Sequence, residues 1–425
     1  MKPTDLRGIL RYVPAFRDRI FVIALDGVIV SDENFANLLL DVAVLRSLNI
    51  KVILVHGAGA AIAAEGARRG VQVSDIDGCG ITDDVTLDIA VTAANRLSHE
   101  ILKGLAGHDL RAVCSNCVTA GPLGVIKGVD HLHTGKVERV DVEFLNRLLE
   151  DACVPVISPV GMDGAGGNYR INSDAVAVAV ARAMGAIKLI YATSYDGLVV
   201  DGELLRQTSF SELADVLKTA GRVPETLRSK STHAVEACAG GVPRVHVING
   251  LVDEGLLAEV FSNEGIGTLI YGNEYQGIRR ARKSDIRTLR RMTRAAVESD
   301  ELLRRTRAAM EQHYEDYYIF EIDHNPIGCV ALHEYPEENI GELAYLYVAP
   351  SHENQGLGRK LMKFVVAKAR KRGLKKLLAL STQAFAFIRN KGGFQIGQED
   401  DLPAARRAQY DASGRRSKIL YVDLR

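Results

Sequence analysis

The apolar residues of this chain fall into short runs separated by stretches of helical spacing. Ile20–Leu25 is an unbroken apolar run, and 35–48 follows with hydrophobic residues at helical intervals. Residues 52–56 predict a strand that ends in Gly57-Ala58-Gly59, with a helical stretch after it. Strands at 154–159 and 189–193 bracket a helix at 175–184, and the alternation runs through a strand at 245–249 and a helix at 253–263 to its end near Ile270. Strands that are apolar almost throughout, alternating with helices, indicate an α/β unit with a parallel sheet covered on both faces. It is expected over 20–271, with a short helix at 5–18 inside an N-terminal segment, 1–19.

A different pattern starts at Ile278. Two helical stretches, 284–298 and 300–312, precede strands at 317–323 and 326–334 that flank Asp323-His324-Asn325, a hairpin signal. A strand at 342–348, a helix at 356–372, a strand at 376–380, a helix at 383–391 and a last strand at 417–424 follow. This predicts an α+β unit over 278–425. Residues 272–277, Gly-Asn-Glu-Tyr-Gln-Gly, are the expected linker.

Composition adds bounds. A chain of 425 residues is long for a single core, and 47% hydrophobic with 25% charged residues is an ordinary globular mix. Lys+Arg and Asp+Glu are equal at 53 each, so no chain-wide attraction to nucleic acid or anionic membrane is expected. The most apolar stretch, 174–192, is broken by Arg182, Gly185 and Lys188 and does not read as a membrane span. The N-terminus lacks an apolar leader core, so a cytoplasmic chain is expected. Cys114-Ser-Asn-Cys117 has no partner pair and no nearby His; reduced thiols and no metal site are expected.

The densest chemistry lies at Glu342-Leu-Ala-Tyr-Leu-Tyr-Val-Ala-Pro350 and Gln355-Gly-Leu-Gly358-Arg-Lys-Leu. A strand ends at a proline, and a glycine turn opens a helix. Such a turn presents unpaired N–H groups at a positive helix end, which suits a pyrophosphate. The arrangement resembles the GNAT acetyltransferase family, whose signature [Arg/Gln]-x-x-Gly-x-[Gly/Ala] stands here as Glu353-Asn-Gln-Gly356-Leu-Gly358, with Glu353 departing at the first position. The resemblance implies acetyl-CoA as co-substrate, with no permanently bound cofactor. It also implies that the amides of Gln355, Gly356, Leu357, Gly358, Arg359 and Lys360 hold the pyrophosphate. Acetyl transfer to an amine needs a base for the ammonium, polarisation of the thioester carbonyl, and a proton for the leaving thiolate. Glu342 is the candidate base, main-chain N–H groups of Leu346, Tyr347 and Val348 the candidate polarisers. Members of that family often carry a Tyr acid before the Gly-Phe of the last helix. Phe387-Ile-Arg389-Asn-Lys-Gly-Gly-Phe394 has none, which leaves Ser381 or Tyr410 as substitutes.

Leu378-Ala-Leu-Ser381-Thr382, Leu402-Pro403 with Arg407 and Tyr410, Gly414-Arg415-Arg416-Ser417-Lys418, and Leu302-Leu-Arg-Arg305-Thr306 together resemble the acetyltransferase domain of N-acetylglutamate synthases. The resemblance implies L-glutamate as acceptor, held by Leu303, Arg305, Ser381, Thr382, Arg415 and Arg416, with guanidinium groups matching its two carboxylates.

Residues 20–271 resemble the amino-acid kinase family through Val55-His-Gly57-Ala-Gly59, Ile171-Asn172-Ser-Asp174, Lys230, Gly241-Val-Pro-Arg-Val and Gly265-Ile-Gly267-Thr268. The family's opening Lys-x-Gly-Gly is Ala24-Leu-Asp26-Gly27 here, the first Asn of its Asn-x-Asn-x-Asp is Arg170, and the Arg of its Arg-Val-Thr is Gly80. A carboxylate in place of a phosphate-neutralising cation should repel a nucleotide. The domain is therefore expected to be a retired kinase with a mostly parallel sheet, joined to a GNAT domain with a mixed sheet. Similar domains bind arginine as an inhibitor, which implies Phe16, Glu264 and Gly267 as the site, and they pair into dimers or hexameric rings. Two other readings stay open at this stage: an N-acetylglutamate kinase, alone or bifunctional, and an amino-acid sensor whose acetyltransferase domain is inert or protein-directed.

Overall fold

The structure, a computed structural model, describes residues 12–74, 80–261, 265–272, 276–322, 325–350, 353, 356–414 and 416–424. The chain divides into two compact units, Met1–Asn273 and Glu274–Arg425.

In the first unit eight strands form one sheet, in the order Gln207–Ser209, Thr268–Tyr271, Arg244–Asn249, Lys188–Thr193, Ile20–Leu25, Lys51–His56, Val154–Ile157 and Ala112–Cys114. All neighbours are parallel except Arg244–Asn249 against Thr268–Tyr271. Both faces are covered, so alternation along each strand feeds two cores instead of a core and water. Phe21, Ile23, Leu25, Leu54 and Ile190 enter one, with helices Phe35–Ser47 and Asp84–Ala106. Val22, Ala24, Ile53, Leu189 and Tyr191 enter the other, with helices Ser173–Ala183 and Glu225–Ala239. Helix starts follow from short polar side chains: Asp83 accepts the Thr86 N–H at 2.8 Å, and Asn172 accepts those of Asp174 and Ala175.

A four-stranded closed barrel of Asn168–Ile171, Thr134–Val140, Val118–Pro122 and Val160–Met162 adjoins this sheet within the unit. The hydrophobic pattern does not announce it, because three of its four strands have five residues or fewer and three carry a glycine. Of the expected helix at 5–18, Val13–Phe16 is helical and 5–11 lie outside the described residues.

The second unit is built on a seven-stranded mixed sheet, in the order Gln276–Arg280, Tyr317–Ile322, Asn325–Tyr335, Ile340–Val348, Lys376–Ser381, Lys418–Asp423 and Gln395–Ile396. Only Ile340–Val348 and Lys376–Ser381 run parallel. Helix Leu357–Lys371 buries Leu361, Met362, Val365 and Ala369. Gly341 stands where the side chains of Leu332, Leu374 and Leu377 converge, and an added Cβ would meet Leu374 at 2.9 Å. Two expectations need correction. Gln276 and Gly277, placed in the linker, belong to the first strand of this sheet; 273–275 lie outside the described residues. The helix expected at 300–312 forms only over Arg307–Gln312, because Asp300 turns into left-handed backbone (φ 61°) and the Thr306 side chain caps at the Ala309 N–H. The hairpin turn residues Asp323 and His324 also lie outside the described residues. No helix of the described residues is long and apolar enough to cross a membrane.

One buried acid in the first unit gives a stability test. Asp41, on helix Phe35–Ser47, accepts the Leu257 N–H, and burial pushes its carboxyl up to about 6. The unfolded chain ionises it near 3.8, so folded-state stability drops as pH rises from there to about 6. Asp41→Asn keeps an acceptor for Leu257. We expect it to stabilise the protein by about 2 kcal/mol at pH 7.5 and by little at pH 3.5. Thermal unfolding at the two pH values checks this; a shift equal at both would remove the ionisation argument.

Candidate active site

Registers in the second sheet put four side chains on one face. Tyr317 pairs with Ala331, His333 with Glu342, and Glu342 with Leu378, and directly paired residues share a face. Tyr317, His333, Glu342 and Leu378 therefore lie side by side, between an apolar cluster that includes Ile286, Leu289 and Met310 and a second one of Leu378, Leu402 and Ile419.

Glu342 is 4% exposed. The Tyr335 hydroxyl and Arg406 Nε each donate to its Oε2 at 2.8 Å. Oε1 has no hydrogen bond among the described residues, so one oxygen is held and the other is free to take a proton. Burial, reinforced by the neighbouring carboxylate, pushes the Tyr335 hydroxyl well above the ordinary tyrosine range, so it stays a donor.

Beyond Glu342 the strand changes character. Its parallel ladder to Lys376–Ser381 runs from Ile340↔Lys376 to Leu343↔Ala379 and stops, although both strands continue. On the other side the register slips between Cys329 and Ala331, which is a β-bulge at Tyr345 and Leu346. Tyr345 has φ 55°, a costly conformation for a bulky residue. Its hydroxyl is tied to Thr293 Oγ1 at 2.9 Å, and Cys329 Sγ approaches its carbonyl. The bulge brings Leu346, Tyr347 and Val348 to a strand edge without a ladder partner on the Lys376–Ser381 side, which suits main-chain donors aimed at a carbonyl oxygen.

The glycine turn opens helix Leu357–Lys371 with Gly356 as its cap at φ 77°, a left-handed conformation that glycine adopts without strain. The helical bond of the Lys360 N–H to the Gly356 carbonyl is already made, so Lys360's amide is not among the free donors. Those at the helix start are the first-turn amides, from Leu357, Gly358 and Arg359. The Leu357 side chain is buried in the core, and a Cβ on Gly358 would meet the Phe387 ring at 3.0 Å. Gly358 is thus needed for packing as well as for access. Gln355 lies outside the described residues.

Arg305 is half-buried. Its Nη1 donates to the Tyr317 hydroxyl at 2.7 Å and to His333 Nε2 at 2.6 Å, and its guanidinium stands over the Tyr317 and Tyr345 rings. Of the other expected acceptor contacts, Leu303 is 45% exposed. The Thr382 Oγ1 is buried with no hydrogen-bond partner among the described residues, an orphan group at the strand end. Ser381 Oγ accepts the Ala384 N–H at 2.9 Å, which leaves its proton available. Arg416 is exposed with φ 48°, and Arg415 lies outside the described residues. Tyr410 departs from expectation: its hydroxyl donates to the Ser417 carbonyl at 3.0 Å, so that proton is engaged in bracing helix Ala404–Ser413. Sequence reasoning missed Tyr335, His333 and Arg406. The signal was present for the first two, as polar members of an otherwise apolar strand.

The kinase-like site of the first unit is closed by its own charges. Lys230 Nζ lies 2.8 Å from Asp26 and 3.4 Å from Asp174, and Ser229 donates to Asp174 at 2.7 Å. Burial pushes the Asp26 carboxyl up and opposes the charge on Lys230, but the two carboxylates outweigh burial and raise Lys230. The surviving cation is thus neutralised by the residue that replaced a family glycine, which argues against phosphoryl transfer here.

A second polar cluster is built on two adjacent interior strands of the same sheet, Lys188–Thr193 and Arg244–Asn249. Lys188 Nζ donates to His246 Nε2 at 2.9 Å, and His246 Nδ1 meets Glu259 Oε1 at 2.6 Å. Glu259 Oε2 accepts the Ile266 and Gly267 amides at 2.7 and 2.9 Å, and Lys188 stands 5.3 Å from the centre of the Phe16 ring. Phe16 and Gly267 thus stand at the two ends of this chain of contacts, and Glu264 lies outside the described residues. Among the described residues no three His, Cys, Asp or Glu side chains group as metal ligands.

The fold and these sites define a kinase-like α/β domain joined to an acetyltransferase domain. Residues 19–249 match the amino acid kinase family and 283–393 the acetyltransferase (GNAT) family. The chain is 34% identical over 426 residues to an amino-acid acetyltransferase of Shewanella oneidensis, covering 97% of this chain and 95% of that protein. To that of Ralstonia nicotianae it is 33% identical over 429 residues, covering 99% and 94%. A crystal structure of N-acetylglutamate synthase from Neisseria gonorrhoeae complexed with coenzyme A and L-arginine matches with TM-score 0.87 at 30% identity, over 100% and 99% of the two chains. One complexed with coenzyme A and N-acetyl-glutamate matches with TM-score 0.64 at 32% identity, over 99% of each. The chain belongs to the amino-acid acetyltransferase family and is an acyltransferase.

The Glu259 cluster gives a second stability test. Burial pushes this carboxyl up, but the His246 hydrogen bond and the two amides overrule it and hold it at about 2, against an ordinary 4.5. That stability is present above pH 4.5 and lost as pH falls toward 2. Glu259→Gln is expected to cost about 2 kcal/mol at pH 7 and much less near pH 3. Urea unfolding at both pH values checks this, and a cost independent of pH contradicts it.

Proposed function

We propose that the protein transfers the acetyl group of acetyl-CoA to the amine of L-glutamate, forming N-acetyl-L-glutamate as the first step of arginine biosynthesis, and that L-arginine bound to the first unit inhibits it. The observation that carries this reading is a single sheet face with a buried carboxylate, Glu342, one strand away from a half-buried guanidinium, Arg305. The full-length likeness to a Neisseria protein complexed with coenzyme A, N-acetyl-glutamate and L-arginine supports it.

In this reading the first-turn amides of helix Leu357–Lys371 hold the coenzyme's pyrophosphate, and Arg305 takes one carboxylate of glutamate, with Arg415 or Arg416 taking the other. Glu342 Oε1 removes a proton from the ammonium, directly or through water, which frees the lone pair. The nitrogen attacks the thioester carbon, and charge on the carbonyl oxygen is met by main-chain N–H groups of 346–348. Collapse breaks the C–S bond. Ser381 passes its proton to the thiolate and is reprotonated by the second proton leaving the nitrogen. L-Arginine docks at the site of Phe16, Glu264 and Gly267.

Thiol release from acetyl-CoA should require glutamate and be weak with other amino acids. Glu342→Gln is expected to lower turnover about a hundredfold while leaving acetyl-CoA affinity near normal. Unchanged turnover removes Glu342 from the chemistry, and no release at saturating glutamate sinks the whole reading. Added L-arginine should slow the reaction. Phe16→Ala should raise the arginine concentration for half-inhibition about tenfold, the loss of one aromatic contact; an unaltered value would remove Phe16 from the regulatory site.

A further inference from the structure

We infer that His333 and Asp316 are positioning residues that aim Arg305 at the acceptor's carboxylate; this rests on the reading of Arg305 given above. Arginine carries five N–H donors and no acceptor. His333 Nε2, 2.6 Å from Arg305 Nη1, must therefore present its lone pair, and the ring proton sits on Nδ1. Asp316 Oδ2 accepts that proton at 2.7 Å. An imidazole placed between an acid and a guanidinium thus has its tautomer and ring orientation fixed from both sides.

The consequence lies in the donors left over. Nη1 has two hydrogens, and both are taken, one by the Tyr317 hydroxyl and one by His333. No other partner of Arg305 occurs among the described residues except the two aromatic faces of Tyr317 and Tyr345. Nε and Nη2 remain, and they form the side-on fork that matches both oxygens of one carboxylate. His333 lies opposite Glu342 in register, so the fork is held one strand from the proposed base. The Tyr317 and His333 rings meet edge to face with centroids 6.0 Å apart, which removes a further freedom from the assembly. A guanidinium locked in this way loses little rotational freedom when the substrate binds, and that saving should appear in acceptor affinity.

Steady-state kinetics on the full-length protein test this. His333→Leu is expected to raise the KM for glutamate at least tenfold, with the KM for acetyl-CoA within twofold of normal and kcat changed much less than KM. His333→Gln keeps an acceptor within reach of Arg305 and should recover most of the loss. In an Arg305→Ala background, adding His333→Leu should change the glutamate KM by less than twofold, because the group it positions is already gone. A parallel rise in both KM values, a purely kcat effect, or fully additive costs in the double variant would overturn the positioning role while leaving Arg305 as a glutamate contact. An unchanged glutamate KM in Arg305→Ala removes the reading beneath the proposal, and the proposal with it. If His333→Leu does not fold, His333→Gln and Asp316→Leu decide: a normal glutamate KM in Asp316→Leu counts against the relay.

Discussion

The chemistry of the second unit depends on one strand, Ile340–Val348, being paired on both sides for half its length and on one side only for the rest. Over 340–343 it is paired on both sides, which fixes Glu342 between His333 and Leu378. From Tyr345 onward a bulge breaks the register and the parallel neighbour drops away. A continuous ladder would consume the very N–H groups that a thioester oxygen needs, and a strand without a ladder would not hold a carboxylate in place. The left-handed Tyr345 is the cost of joining the two regimes within three residues, and it is held by side-chain contacts to Thr293 and Cys329 rather than by sheet bonds.

Both units use the same device to hold a cation. In one, Glu259, His246 and Lys188 form a chain; in the other, Asp316, His333 and Arg305 do. In each the imidazole gives its Nδ1 proton to a carboxylate and its Nε2 lone pair to the cation, and an aromatic ring lies beside that cation: Phe16 for Lys188, Tyr317 and Tyr345 for Arg305. A neutral histidine transmits orientation without adding charge, so Arg305 is fixed but not cancelled. The third cluster works in the opposite sense. Asp26 and Asp174 contact Lys230 directly, and its charge is spent inside the fold. A carboxylate that touches the cation closes off Lys230, whereas one that acts through an imidazole leaves Arg305 with donors for an anionic ligand.

The sequence made the long-range scaffold readable wherever burial on both faces leaves a plain signature. Ile20–Leu25 and Lys188–Thr193 are apolar because two cores flank them, and their strands appear where the runs do. The barrel was not readable, since strands as short as Val160–Met162 and Asn168–Ile171 leave too few positions for a pattern to show. The same division holds at the sites. Glu342 and the glycine turn belong to a local motif. Arg406 acts from a helix 64 residues beyond Glu342, which no spacing rule reports, while His333 and Tyr335 show only as polar members of an apolar strand. Lys188, His246 and Glu259 did leave a trace, each being a charged or polar residue inside an apolar segment. Glu264, expected from motif position, lies outside the described residues.

Arg406 also bears on how a buried carboxylate next to a guanidinium can accept a proton. Tyr335 and Arg406 converge on the same oxygen, Oε2, so their effect is directional. They fix the plane of the carboxylate and leave the Oε1 lone pairs turned away from both donors. Had the guanidinium bridged both oxygens, each site for a proton would have been occupied and the substrate's ammonium would have competed with Arg406. In the proposed mechanism, single-oxygen contact lets the incoming proton and the arginine bind at different atoms, and the guanidinium stays to balance the charge after the proton has moved. Replacing Arg406 would therefore loosen the orientation of the carboxylate as well as remove a charge. The helix Ala404–Ser413, fixed at its far end by Tyr410 to Ser417, brings that orienting charge to the centre of the sheet.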